Sequence, residues 1–590
     1  MKIIDFPGSL CLDIYHFIAL NPGAAMAGWR VLFMGLILFL AGTTAYPILY
    51  PNKTGPSGYL KKLLSPSTFI FVLCIGILIL RLPNFILVEQ NPDESEWIAN
   101  AASYWHGAVL WKSVGGNTSG PLVYAPVSVI AIFSGMNYAT IRLFGLLVCM
   151  LPAIYLLWRT LSMLCGDMVA RLCLIQAFIF FGTANKPDII AYNSEHMPIV
   201  LIMLSIYLVF TFAKGGRFPI IKLALCGIAL GMLPYAKLQA VPIGFGIGLL
   251  AIVAIVIRPL ASLKAKGIYF STLFSGALIP SIAVGIYLTA HNCWGAFWNE
   301  YIVQNFNFKN EGLSPFIPPE HGFKGALHVI FLLMNGRWSM LLFVVASFVF
   351  FLIFIFSRFD RATLKRIFFS KTLAAGLFIV LCTCYSIIAP GSSSGHYLLF
   401  LIMPFILFTG IIMSRLLSAE DTMGARRILS LMFLIPCIIY SLFFISHYKI
   451  KGIELVAQKE DYHLSDVSKT ILKYAHPNEL MSIWGWVPHY FVQTGLIQAN
   501  TYAHSFFATR WHTETPPYLK YVSEVSSNKP IIFLDNAGGP DPLFTVPYRH
   551  ETYPKLDSII TGAYTMVGEF DGARVYVINT RLQEMGLSHP

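Results

Sequence analysis

Apolar residues run along this chain in long unbroken blocks, not in the spaced stripes of a soluble amphipathic helix. Twelve blocks centre on 29–50, 67–88, 141–158, 168–184, 197–213, 221–235, 241–257, 268–290, 338–356, 372–389, 397–416 and 428–446. Each is near the ~20 residues that an α-helix needs to cross a hydrocarbon core. Two shorter stretches, 122–136 and 325–334, read as re-entrant or interfacial segments. After residue 446 the pattern changes. Short strand-like runs (Ile531–Leu534, Arg574–Ile578) alternate with turn signals such as Asn536-Ala537-Gly538-Gly539-Pro540. The pattern predicts a polytopic α-helical membrane protein of about 12 spans with a C-terminal extracytoplasmic α/β domain. Its parts are an N-terminal segment with one extra span (1–66), a transmembrane body (67–446) and a soluble domain (447–590).

Composition supports the bilayer reading. Hydrophobic residues make up 56% of the chain, charged ones only 12%, and the mean hydropathy is +0.66. A soluble globular chain carries roughly 25% charged residues. The N-terminus lacks a basic n-region and a small-residue cleavage site, so no cleavable signal peptide is expected. The ten cysteines are scattered and show no disulfide or zinc spacing; Cys382 and Cys384 read as packing within a span.

The net charge of +12 raises the question of nucleic acid, which its placement answers. From residue 447 onward the chain holds 12 bases and 14 acids, so the excess lies in the first 446 residues. There, alternate loops sort by charge: 51–66, 159–171, 214–222, 258–266, 357–371 and 415–427 hold 19 bases. The opposite loops hold five: Lys112, Lys186, Lys237, Lys309 and Lys324. Basic loops face the cytoplasm. The charge is therefore topological, nucleic acid is excluded as a partner, and the C-terminal domain is expected outside the cytoplasm.

The outward loops carry the candidate chemistry. Asn91-Pro92-Asp93-Glu94-Ser95-Glu96-Trp97 follows the span that ends near Val88. Adjacent carboxylates at a membrane surface serve as a general base, or with a third acid as a divalent-metal site; the plainer reading is that Asp93 caps a helix. Glu195 sits at the mouth of the span beginning at Met197, with Asp188 seven residues earlier. Its plainer role is an acid favoured by a helix dipole. Lys237 lies between two spans with almost no loop, either snorkelling to the interface or binding an anionic group such as phosphate. His396-Tyr397 stands at the outer end of another span, where a lone histidine is ordinarily an interface residue. The loop 291–325 is rich in aromatic and polar residues and reads as a sugar or lipid surface, or as an aromatic belt.

Taken in order, these features resemble a membrane glycosyltransferase of the GT-C superfamily, in the branch of the protein O-mannosyltransferases and the lipid A aminoarabinose transferase. The carrying motifs are Arg81-Leu82-Pro83, Asp93-Glu94, Gly120-Pro121-Leu122-Val123-Tyr124 and Ile141-Arg142-Leu143-Phe144. Glu195, Lys237, His396-Tyr397-Leu398-Leu399 with Pro404, and Trp484-Gly485-Trp486 complete the series. The resemblance implies transfer of a sugar from a polyprenyl-phosphate donor to a glycolipid, polysaccharide or protein acceptor outside the cytoplasm. It implies Asp93 as the catalytic carboxylate, and Glu94 and Glu195 (or Asp188) as supporting acids or ligands of a divalent cation. Lys237 would face the donor phosphate, and His396 and Tyr397 would line the same cavity. The setting that fits is a bacterial inner membrane. Two features depart from the family pattern: the extra span at 29–50, and the choice between Glu195 and Asp188 as the second-loop acid. The alternative function is a transporter or flippase of a lipid-linked sugar, which calls for charges or broken helices within spans and for internal repeats. Neither is evident.

Overall fold

The structure is a computed structural model. It describes residues 16–50, 58–86, 88–215, 219–258, 262–311, 322–334, 347–349, 352, 370–391, 394–419, 423–447, 449–458, 464–509, 514–539 and 543–587. The helices that build the body are α1 (Pro22–Leu49), α2 (Pro66–Arg81), α3 (Pro92–Trp105), α4 (Tyr138–Cys165), α5 (Asp167–Gly182) and α6 (His196–Ala213). They continue with α7 (Ile220–Ala236), α8 (Val241–Val256), α9 (Leu263–Ala290), α10 (Lys371–Ile388), α11 (Leu399–Ala419) and α12 (Met423–His447).

Among the described residues, eight of these (α1, α2, α4, α6, α8, α9, α10 and α11) are long and apolar enough to cross a bilayer. The sequence pattern predicts twelve spans. The stretch 338–356 falls almost wholly outside the described residues. The blocks at 168–184 and 221–235 form α5 and α7, of 16 and 17 residues, short of the ~20 that a perpendicular crossing needs. α12 offers only the apolar stretch Ser430–Leu442. From Val169 to Gly182, α5 is buried at every position. A helix apolar on all sides belongs at the centre of a bundle, and α5 packs against α1, α2, α4, α11 and α12.

Small residues line the contact between α7 and α9. A Cβ added at Gly227 would lie 2.2 Å from the Leu273 carbonyl oxygen, and one at Gly231 2.2 Å from that of Ala277. Gly276 meets the Ala224 carbonyl in the same way, at 2.5 Å. α7 and α9 thus touch backbone to backbone, where lipid gives no hydrophobic drive and close van der Waals packing must supply the association.

The C-terminal domain holds a five-stranded sheet made of β1 (Leu480–Trp484), β2 (Ile497–Gln498), β3 (Ile532–Asp535), β4 (Tyr564–Phe570) and β5 (Ala573–Ile578). The order is β2-β1-β3-β5-β4, with β1–β3 mutually parallel and β5 antiparallel to both β3 and β4. Met481 pairs with Ile532, which pairs in turn with Val577, and the central β3 is buried at all four of its positions. The two strands expected from the sequence are β3 and β5. Segment 291–325, expected as a loop, is helical over Trp294–Glu311.

α3 joins the two parts. Asn91 caps it by accepting a hydrogen bond from the Asp93 amide (2.9 Å), Pro92 opens the first turn, and Asp93 and Glu94 meet the positive end of the dipole. The cap is therefore Asn91, not Asp93. Glu94 points inward, where both of its oxygens accept hydrogen bonds from the guanidinium of Arg142 on α4. The same guanidinium donates to the carbonyls of Asn84 (2.9 Å), Ile86 (2.7 Å) and Val88 (2.5 Å), and Glu94 also accepts from the Gln90 amide (2.6 Å). Arg142 and Glu94 are both buried, so this clip fixes the path from α2 into α3.

Two outcomes are expected. Gly231→Val should destabilise the protein by about 1–3 kcal/mol through overpacking, read as a lower melting midpoint in detergent. Arg142→Met should cost about 3–5 kcal/mol by leaving a buried carboxylate unpaired, and the double variant Arg142→Met, Glu94→Met should recover most of that loss.

Candidate functional site

Asp93 stands in the first turn of α3, half-buried, at the end of the helical body that faces the C-terminal domain. Burial pushes its carboxyl up to about 6. His396 and Lys237 pull it back down, while the carboxylates of Glu96 and Glu195 add to the rise. The resulting value lies above the ordinary carboxylate range and towards that of a working general base.

Lys237 arrives from a break between α7 and α8. Pro234 lies in the last turn of α7, the helix stops at Ala236, and Lys237 adopts an extended backbone before the short turn Leu238–Ala240. Segment 116–120 holds that break in place: Ser119 forms a bridge with Lys237, and the Gly120 amide donates to the Ala236 carbonyl at 2.8 Å. A Cβ on Gly120 would sit 2.0 Å from the Tyr235 carbonyl oxygen, so no larger residue allows this approach. The buried Lys237 ammonium donates to Ser194 Oγ at 2.7 Å and to the Glu195 carboxylate, and lies 4.7 Å from the centre of the Tyr397 ring.

Glu195 precedes α6 but makes no capping bond there. Its side chain is fully buried and turned to Lys237. Burial alone would raise its carboxyl, yet Lys237 and His396 hold it below its ordinary value. His396 lies between two acids: its Nε2 is 3.9 Å from Glu195 and its Nδ1 is 3.9 Å from Asp188. Asp188 in turn accepts from the Asn91 side chain at 3.3 Å.

Of the residues singled out in the sequence, Asp93, Asp188, Glu195, Lys237, His396 and Tyr397 are brought together from four separate segments. Glu94 is not among them; Arg142 takes both of its oxygens. The expected cation ligands do not fit a divalent ion. Asp188 and Glu195 face opposite nitrogens of one imidazole and so converge on no common point, and Lys237 already balances Glu195. Among the described residues, the group whose ligand atoms do approach one another is Asp535, His550 and Glu551, in the C-terminal domain. There the His550 Nδ1 lies 2.6 Å from Asp535, and Arg574 pairs with Glu551 at 2.5 Å.

Sequence reasoning missed Ser194, the structural role of Arg142, and a buried trio of Glu96, Asn117 and His504. Arg142, a lone charge opening an apolar span, carried the signal of a buried pair. Glu96 carried one as well, three positions past Asp93 and so on the same helical face. Nothing local marks His504, which lies 387 residues from Asn117.

No protein-family model and no curated protein matches the chain. Solved structures do. ArnT from Cupriavidus metallidurans in the apo state overlays with a TM-score of 0.53 at 12% identity, covering 89% of this chain and 100% of that one. The same protein bound to undecaprenyl phosphate gives a TM-score of 0.54 over the same shares. The oligosaccharyltransferase of Archaeoglobus fulgidus, in complex with Zn and sulfate, gives 0.33, at which the overlap carries no argument. The expected polytopic architecture is thus shared with a solved structure: this chain is an integral membrane protein with the fold of ArnT.

Proposed function

We propose that the chain is a membrane glycosyltransferase that moves a hexosyl or pentosyl group from a polyprenyl-phosphate donor to an acceptor outside the cytoplasm, with Asp93 as the catalytic carboxylate. The observation that carries this reading is the grouping of a carboxylate that burial raises above its ordinary range (Asp93) with a buried ammonium (Lys237) at one end of an ArnT-like helical body. The undecaprenyl phosphate bound by ArnT supplies the donor class by analogy of fold. The sidedness follows from the loop charges, which set this end opposite the basic loops.

In the proposed reaction the acceptor oxygen attacks the anomeric carbon while the bond from that carbon to the phosphate oxygen breaks. The electron pair leaves with the polyprenyl phosphate, and the acceptor proton passes to Asp93. Lys237 has three N–H donors, two of them engaged by Ser194 and Glu195. The third is the one that meets the phosphate as charge develops on it, where a preorganised cation gains most. A single displacement inverts the anomeric configuration, and an NMR coupling showing retention in the new linkage would sink that step.

The test is mass spectrometry of envelope glycolipids and glycoproteins from cells lacking the protein, complemented with wild type or Asp93→Asn at equal abundance. Wild type should restore one sugar-sized increment, and Asp93→Asn should fall short by about 100-fold or more. Full restoration by Asp93→Asn would remove the reading and favour a transporter. Once the acceptor is known, the transfer rate should show an acid limb centred near pH 6. The sign follows from the base: Asp93 acts ionised, so activity is present above its raised titration point and is lost as pH falls through it. Lys237→Met should lower turnover by roughly 10²–10³. Adding Glu195→Gln should restore melting temperature but not turnover, because it removes the unpaired charge without replacing the cation.

A further inference from the structure

Positions 93, 96, 100 and 103 of α3 follow the i, i+3, i+7 spacing of one helical face. Asp93 heads that face. The rest of it lies against the C-terminal domain: the Ser103 hydroxyl accepts from the Gln498 amide at 3.2 Å, and the neighbouring Ala99 belongs to the same apolar core as Phe491 and Leu496. Glu96 stands between, buried among polar partners. Its Oε1 accepts from Asn117 Nδ2 at 2.9 Å, and its Oε2 lies 3.4 Å from His504 Nε2. The His504 Nδ1 accepts from the Phe506 amide at 3.2 Å, which places the ring proton on Nε2. His504 Nε2 also lies 2.9 Å from Asn117 Nδ2, so ring, amide and carboxylate form one buried polar cluster.

His504 comes from the loop after β2, and Trp486, which packs on its ring with centroids 5.7 Å apart, comes from the turn after β1. The carboxyl ends of the parallel strands therefore face α3, the side on which open α/β sheets place their functional residues. Further contacts bind the same seam: Glu89 with His489 at 3.2 Å, the Gly115 amide with the Thr501 carbonyl at 2.8 Å, and the Tyr502 hydroxyl with Glu300 at 2.6 Å.

We propose that His504 is a positioning residue of the transfer site: it holds Glu96 against Asn117 and, through that carboxylate, sets the charge felt by Asp93, so that the C-terminal domain completes the site. The inference rests on the reading of Asp93 as the catalytic carboxylate. The charged groups that act on Asp93 are Glu96, Glu195, Lys237 and His396. Those near Glu96, besides Asn117 and His504, are the phenols of Tyr124 and Tyr502.

The experiment follows the protonation of Asp93 itself. Infrared difference titration of the full chain in lipid nanodiscs, with carboxyl-labelled aspartate and Asp93→Asn to assign the band, gives its midpoint without any substrate. Glu96→Gln should lower that midpoint by roughly half to one pH unit, by removing a nearby negative charge. His504→Ala should raise it, and His504→Gln, which still donates a hydrogen bond, should return it towards wild type. In the complemented cells, His504→Ala should lose the sugar increment and His504→Gln should keep it. Loss of a merely structural contact would not move the midpoint in opposite directions in Glu96→Gln and His504→Ala. If His504→Ala fails to fold, Glu96→Gln and His504→Gln carry the comparison. An Asp93 midpoint unmoved by either Glu96→Gln or His504→Ala overturns the inference even where Asp93→Asn abolishes transfer. Full transfer by Asp93→Asn instead overturns the function on which it rests, whatever the midpoints show.

Discussion

A single guanidinium holds the entrance to this site together. Arg142 binds Glu94 and collects three carbonyls from the strand of chain that joins α2 to α3. That clip ties the first turn of α3, and Asp93 with it, to the helical body. The arrangement is strong because each buried charge has several partners; an isolated buried carboxylate or guanidinium would be costly. It also explains why two adjacent acids have different fates. Successive helical residues point about 100° apart, so Glu94 turns into the body while Asp93 looks out at the groups around it.

The same logic shapes the second half of the site. Lys237 lies where two helices are interrupted, and its ammonium would be intolerable there without Glu195, Ser194 and the Tyr397 ring. The break between α7 and α8 follows Pro234 in the last turn of α7 and is held by Gly120, which admits the neighbouring backbone. The result is a cation whose charge is balanced by the protein's own groups. In the proposed reaction such a group would stabilise developing negative charge without reorganising, as preorganised sites do.

The C-terminal domain is more than a covering. Its sheet presents the ends of β1 and β2 to α3, and α3 carries both Asp93 and the face that the domain grips. A helix held along its length by one domain and at its first turn by the other has little freedom to shift relative to either. Dynamics at the site are therefore expected to involve the two parts together.

Much of this was legible in the sequence, for a definite reason. Whether a block of twenty residues partitions into a bilayer is a local sum over its own side chains. The helical body, the change of character after residue 446 and the grouping of outward acids could therefore be read directly. The strands at β3 and β5 were likewise local, set by short apolar runs and turn residues. Which charges meet was another matter. Glu94 and Asp93 are neighbours of the same type, and only the position of Arg142, on a helix beginning more than forty residues later, gives them different partners. The pairing of Lys237 with Glu195, the seat of His396 between two carboxylates, and the arrival of His504 beside Glu96 depend on how helices stack and how the C-terminal domain docks. Those contacts are long-range. Their energies depend on distance and burial, quantities that exist only once the chain has folded.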